Sequence, residues 1–348
     1  MPAPATRVAM LSELVPGETA EFFARLAGKE QRVTREGHPF FRVTFQDATG
    51  HVAAMLWHDS PHFQDCETSW KKGDAFRVRG RFTESRYGPQ VELHAVRPAR
   101  PADAEEGFDP DRLFQSARVD PADMFDALLG LAQEQIADTA LRRLVIDLHA
   151  AHRDDLLRWP AASQKHHAFP GGYLEHVLSV TRIGVYLANK YQRDYPDLGL
   201  SKDLVVAGAM LHDVGKLIEL KVSPEGGEYT PAGRLIGHML LGRDIVRDFA
   251  ATIPELDHDV LMRLEHIIIA HQGRPEWGSP IPPSTPEALL VHYADEIDAK
   301  LDILVTALAT PHRADDPFTT RDNPLRRQFY RGMPPNSHPS GRPDEQQP

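Results

Sequence analysis

The chain has 348 residues, 41% hydrophobic and 26% charged, which is enough for two globular domains with a sizeable core. No apolar run approaches the roughly 18 residues that cross a bilayer, and the opening MPAPATRVAMLSELVPGE lacks a basic segment followed by a long apolar one, so neither a membrane span nor a signal peptide is expected. A net charge of −11 excludes a uniformly basic protein, and the single cysteine, Cys66, excludes an intramolecular disulfide and multi-cysteine metal sites and points to a reducing cytoplasm.

Residues 16 to 98 are expected to be β. HPFFRVTFQDATGHVAAMLW alternates apolar and polar residues about a turn at Asp47 to Gly50. GDAFRVRGRFTE and GPQVELHAVRP repeat the pattern, punctuated by Gly73 and Gly88-Pro89. Several short strands, with a break near residues 59 to 72 where a helix or loop fits, resemble the five-stranded OB-fold barrel, a frequent binder of single-stranded nucleic acid. Between Pro16 and Arg100 there are 13 Lys and Arg against 11 Asp and Glu, so this part carries about +2 and the remainder −13. A slightly basic front on an acidic body fits a local polyanion contact. Phe41, Phe45, Trp57, Arg79, Phe82, Arg86 and Tyr87 are candidates for stacking and phosphate contacts. Alternation sends half of the aromatics inward, so Arg86 and Tyr87, in a predicted turn, are the preferred pair.

Residues 99 to 118, rich in Pro, Ala and acid, read as a linker ending in a short docking segment. Residues 119 to 330 are expected to form a helical domain, with apolar residues at helical spacing from Asp120 to about Leu308. Residues 333 to 348 are polar and Pro-rich, and disorder is expected there.

Five helical segments carry an inward-facing His or Asp. His176 shares a face with Val180, Ile183 and Leu187. His212 and Asp213 sit inside AMLHDVGKLIEL, an otherwise apolar stretch that reads as a buried helix. His238 lines up with Leu241 and Ile245, and His266 with Met262 and Ile269, while His271 follows near a helix end. Asp295 is flanked by Val291 and Ala299, and periodicity leaves Asp298 as its competitor. One unpaired buried polar group costs on the order of 1 to 3 kcal/mol. A shared divalent metal satisfies all of them together, and imidazole with carboxylate suits Mn, Fe, Co, Ni or Zn.

The order His176, His212-Asp213, Asp295 resembles the H…HD…D pattern of the HD-domain metal-dependent phosphohydrolases. HHAFPGGYLEHVLSV, AGAMLHDVGKLIEL, GRLIGHMLLG, HIIIAHQGRPEWGSPIPP and ALLVHYADEIDAKLD are similar to blocks of the YhaM-type bacterial 3′→5′ exoribonucleases, over roughly residues 160 to 305. That group commonly has His-His-Gly where this chain has His271-Gln272-Gly273.

The resemblance implies an OB-like barrel followed by an all-helical bundle with two divalent ions. Mn2+ is the implied cofactor, with Fe, Co, Ni, Zn and Mg compatible. His176, His212, Asp213 and Asp295 would hold the first ion. Asp213 would bridge to a second held by His238 and His266, with His271 as a further or alternative ligand. A metal-activated hydroxide would attack the phosphodiester, with Lys216 neutralising transition-state charge. Read from their place in the chain alone, His166 and His167 are candidates to contact substrate phosphate or position the leaving group, and Trp277 to stack on a terminal base or cap the core.

The expected activity is 3′→5′ exonucleolytic hydrolysis of single-stranded RNA, with single-stranded DNA as a further substrate, to nucleoside 5′-monophosphates. The rivals are hydrolysis of a small nucleotide, such as a cyclic dinucleotide or nucleoside phosphate, and a non-catalytic single-strand-binding protein. No membrane partner is expected, and a homo-oligomer is left open.

Overall fold

The structure is a computed structural model that describes residues 8–85, 88–114, 117–161, 169–223, 226–310 and 316–332. The chain divides into two compact units, Met1–Phe114 with Ile303–Pro348, and Gln115–Asp302. Arg86, Tyr87, His166, His167 and the tail 333–348 lie outside the described residues.

Period-two alternation builds the first unit. Its elements are β1 (Val8–Ala9), β2 (Thr19–Val33), β3 (Pro39–Gln46), β4 (His51–Trp57), α1 (Phe63–Thr68), β5 (Ala75–Ser85) and β6 (Gly88–Pro98). The 15-residue β2 serves two neighbours: its first half pairs with β5 and its second half with β3, across a bulge between Leu26 and Gly28. β3 pairs with β4, β4 with β6 and β6 with β5, so five strands close into an OB-like barrel. Phe22, Leu26, Val43, Phe45, Leu56, Phe76, Val78 and Phe82 fill it. Three of the aromatics offered as nucleic-acid contacts, Phe41, Phe45 and Phe82, are thus core residues, while Trp57 is exposed. The turn at Asp47 is held by its own carboxylate, which accepts from the backbone N–H of Leu11, Thr49 and Gly50.

In the segment read as a linker with a docking end, Pro101–Glu106 and Pro110–Leu113 form 3-10 turns, and Leu113 is buried. Asp103 fixes the first turn by accepting from the Arg97 guanidinium at 2.6 and 2.8 Å and from the Arg100 N–H. Composition alone hid these ion pairs. The chain from Ile303 onward, which includes the end of the last helix, also groups with the barrel. Asp322 lies 3.4 Å from His51, and the Arg331 guanidinium donates to the carbonyls of Ala307, Leu308 and Thr310.

The second unit is helical: α2 (Pro121–Gln135), α3 (Thr139–Ala151), α4 (Arg153–Leu156), α5 (Gly172–Asp194), α6 (Lys202–Leu211) and α7 (Lys216–Glu219). A two-stranded hairpin follows, β7 (Leu220–Ser223) and β8 (Gly226–Tyr229), then α8 (Pro231–Leu235), α9 (His238–Ala250), α10 (His258–Ala270) and α11 (Pro286–Ala309). Asp or Ser side chains cap α2, α3, α6 and α10 at their N-termini. α6 is buried on every side from Leu204 to Leu211, so it forms the centre of the bundle. Among the described residues no helix is long and apolar enough to cross a membrane.

Candidate metal centre

The buried helix expected through AMLHDVGKLIEL is interrupted. α6 ends at Leu211, and His212 to Gly215 form tight turns, with Val214 N–H donating to Leu211 O and Lys216 N–H to Asp213 O. The change of direction aims the adjacent His212 and Asp213 side chains into one space. Gly215 makes the turn compatible with its neighbour: a Cβ there would lie 1.9 Å from His238 O and 2.5 Å from Gly242 N. The α9 backbone therefore packs directly on the turn.

Six of the expected ligands converge. His176 comes from α5, His212 and Asp213 from the turn, His238 from the first residue of α9, His271 from the end of α10 and Asp295 from α11. His176, His212, Asp213 and His271 are buried to 1% exposure or less. His176 Nε2 lies 3.3 Å from His212 Nε2, 3.5 Å from Asp213 Oδ2 and 3.3 Å from Asp295 Oδ1. His238 Nε2 lies 3.4 Å from Asp213 Oδ1 and 3.4 Å from His271 Nε2. Two overlapping groups, His176-His212-Asp295 and His212-Asp213-His271, have the spacing of a metal shell.

His266 does not join them. Five residues along a helix turn a side chain through about 140°, so His266 and His271 cannot face the same point. The His266 Nε2 accepts instead from the Ser284 N–H at 2.9 Å. Spacing left that pair open, and the packing of α10 separates it.

The outer face of each imidazole fixes its proton. The Nδ1 of His212 and His271 reaches the carbonyls of Ala209 and Ile268 at 2.8 and 2.7 Å. The Nδ1 of His176 and His238 reaches the carboxylates of Asp298 and Glu219 at 2.7 and 3.0 Å. Each of these oxygens is an acceptor, so Nδ1 carries a hydrogen and Nε2 is the atom each ring turns inward. Two pairs of Nε2 atoms then face each other among carboxylate oxygens. Asp213 Oδ1 is buried with no hydrogen-bond partner.

That donor set needs positive charge at its centre. Ligand bonds of about 2.1 Å in a tetrahedral shell place donors about 3.4 Å apart, which matches these distances. The groups could hold a divalent metal; Asp213 turns Oδ2 toward His176 and His212 and Oδ1 toward His238 and His271.

Charge states agree. Burial pushes the His271 imidazole down to about 3, helped by His212, so it is neutral. Burial would raise the Asp213 carboxyl, but Lys216 and His212 hold it well below the usual range. Burial would lower His176, yet Asp213, Asp295 and Asp298 together raise it well above an ordinary imidazole. The field that holds a proton there is the field a cation would meet. Lys216 places Nζ 2.5 Å from Asp213 Oδ2 and is itself buried.

Asp298 and Glu219 were not among the expected ligands, and they orient His176 and His238. Asp298 had a signal, three residues beyond Asp295 on one stripe. Glu219 had none, since a lone glutamate in KLIEL reads as surface.

A pocket of about 430 Å3 opens beside His238, with Lys216, Tyr229, Arg234, Leu235, Gln272 and Trp277 in its wall. Trp277, expected to stack on a base, is 42% exposed there and has the Arg274 guanidinium 4.9 Å from its ring centre.

The second unit is therefore a helical bundle built round a paired His/Asp centre suited to divalent metals. Residues 173–300 match the family model of the HD domain, which supports the HD superfamily for that segment. HD domains bind divalent metals and belong to a superfamily of metal-dependent hydrolases. Among solved structures, the chain is similar to the second OB-fold domain of replication protein A from Methanococcus maripaludis, at 20% identity and TM-score 0.22 over 26% of this chain and 94% of that one. It is also similar to the replication factor A related protein from Methanobacterium thermoautotrophicum, at 20% identity and TM-score 0.23 over 28% of this chain and 96% of that one. Asparaginyl-tRNA synthetase from Pyrococcus horikoshii gives 14% identity and TM-score 0.24 over 44% and 37%. The barrel assignment rests on its strand pairing.

Proposed function

We propose that the protein is a metal-dependent 3′→5′ exonuclease that hydrolyses single-stranded RNA, and single-stranded DNA as a further substrate, to nucleoside 5′-monophosphates. One observation carries the reading. A buried His/Asp centre divided across the two oxygens of Asp213 adjoins a pocket of about 430 Å3, on a chain that also carries an OB-like barrel. The pocket has the scale of one nucleotide, and the barrel supplies a separate place for the rest of a strand.

Divalent ions bound at the centre, Mn2+ by resemblance, would supply a nucleophile at neutral pH and positive charge for the phosphodiester. The chain's own residues do the remainder. His176, His212, Asp213 and Asp295 form one binding side, and His238 and His271 complete the other through Asp213. Asp298 and Glu219 hold two of the imidazoles in the ligating tautomer. Lys216 steadies the Asp213 carboxylate and brings a cation to the pocket wall. Trp277 offers an aromatic surface to the terminal base.

Single-stranded oligoribonucleotides of graded length, 5′-labelled and incubated with Mn2+, test this. A ladder shortening from the 3′ end with release of 5′-mononucleotides is expected. The pocket's size also favours a free nucleotide as substrate, and turnover of mononucleotides or cyclic dinucleotides alone would replace the exonuclease reading with that one. Asp213→Ala should lose all cleavage while still binding single strands. A wild type that binds strands and cleaves nothing with any divalent metal would leave a binding protein.

A further inference from the structure

The chain returns to the barrel after α11, and this return builds part of a groove. On the outer face of β3 and β4, Phe40 and Trp57 are register partners, as are Arg42 and Met55. The Phe40 and Trp57 rings stand 4.9 Å apart, and Trp57 is 47% exposed. Beside them lies a groove of about 460 Å3, lined by Arg32, Phe40, Arg42, Met55, Gln90, Arg321 and Asp322. Five of those residues come from the barrel strands and two from the returning segment.

That segment is built into the barrel. Asp322 reaches His51 of β4 at 3.4 Å, and its carboxylate lies against Gly88, where a Cβ would meet Oδ2 at 2.6 Å. Gly88 has φ +102°, so both backbone and space reserve the position for glycine. Asn323 donates to the carbonyls of Thr320 and Arg327, which closes the turn that presents Arg321. A bridge between Phe318 and Tyr330 ties its ends together.

The groove carries three arginines against one aspartate, and His51 already engages that aspartate. Arg32 pairs with Glu30 at 2.6 Å. Neither Arg42 nor Arg321 has a hydrogen-bond or ion-pair partner for its guanidinium among the described residues. Arg42 acts on Asp322 electrostatically without an ion-pair contact, and two guanidinium groups so placed beside an exposed aromatic pair suit a polyanion whose bases are unstacked and accessible. A duplex would hide those base faces.

We propose that residues 316–332 complete a single-stranded RNA groove on the barrel, with Arg321 contacting the phosphodiester backbone beside Arg42 while Phe40 and Trp57 take a base. The proposal deepens the reading of the barrel as the strand-holding part and rests on it.

The test is fluorescence anisotropy with the full chain, a labelled unstructured 12-nucleotide RNA and EDTA, so that no cleavage occurs. Arg321→Ala should weaken binding by roughly 5- to 20-fold and lower the slope of log Kd against log salt by about one. Arg321→Lys should recover most of the loss. Arg327→Ala, exposed on the same segment but outside the groove, should stay within about twofold of wild type. Mn2+-dependent hydrolysis of bis(p-nitrophenyl) phosphate should be equal in wild type and Arg321→Ala. An Arg321→Ala protein with wild-type affinity and salt slope, or an Arg327→Ala protein with an equal loss, overturns the groove. If the wild type hydrolyses the small ester but binds no RNA, the strand-holding role of the barrel falls together with the groove. If it binds RNA and Arg321 is silent, only the groove falls.

Discussion

His271 and His266 show how much one side chain's direction decides. Both lie on α10 or at its end, yet His271 is fully buried at the centre and His266 bonds the Ser284 backbone. His271→Ala should lose bound metal, measured by elemental analysis of the purified protein, while His266→Ala should keep the wild-type content. Equal loss from both would remove the distinction. His149 supplies a second test. It is fully buried on α3, its Nδ1 donates to Val145 O at 2.8 Å, and burial pulls it down to about 4. An unfolded histidine titrates near 6.5, so the unfolded chain binds more protons between pH 6.5 and 4. Stability from this residue is complete above pH 6.5 and falls with acidification by about 3 kcal/mol in all. His149→Gln should therefore be less stable than wild type at pH 7, and the difference in unfolding free energy should shrink toward pH 4. A pH-independent difference would contradict this.

The tight turn between α6 and α7 matters more than either helix. Two short elements meet there because Gly215 allows α9 to approach within backbone contact, and this approach brings His238 opposite Asp213. Gly215→Ala is expected to destabilise the protein by about 3 kcal/mol through overpacking. It should also weaken metal binding, because the α9 start must move. Calorimetry and metal titration of the same variant check both effects, and a stable variant with normal metal affinity would show that the contact is dispensable. The first 3-10 turn after β6 is a parallel case, in which Asp103 binds two arginines of the barrel: Arg97 at 2.6 Å and Arg77 at 3.6 Å. Its carboxyl is held far below the usual range, by Arg97 first of all. This anchor persists above the unfolded value near 4 and weakens only in strong acid.

At the scale of the molecule, two hydrophobic cores support two units. The metal centre lies wholly in the second. Added Mn2+ should raise the unfolding temperature of the helical unit, by the equivalent of about 2.7 kcal/mol at a free concentration of 100 Kd. The barrel transition should stay where it is. Differential scanning calorimetry with Mn2+ and with EDTA reads both transitions, and an equal shift of the two would refute separate stabilisation.

Much of this was legible in order along the chain. Alternation around Phe41, Val43 and Phe45 is enough to specify a half-buried strand, and the spacing around His176 or Asp295 is enough to place each on an apolar helical face. Those are local properties, fixed by the periods of strand and helix. A β front, a helical body and five helical segments bearing polar residues with the chemistry of metal ligands were therefore set by the sequence alone. Tertiary structure decided the remainder. Which of His266 and His271 faces inward depends on the packing of α10. The tilt of Asp213 depends on a helix ending where the apolar pattern continues. Glu219 and Asp298 acquire their roles only when distant segments meet, and the return of residues 316–332 to the barrel joins positions more than 200 residues apart, such as His51 and Asp322. Periodicity shows which side of an element is buried. Which buried groups touch is set by side-chain volume, backbone approach and charge across elements, and those quantities exist only in the folded chain.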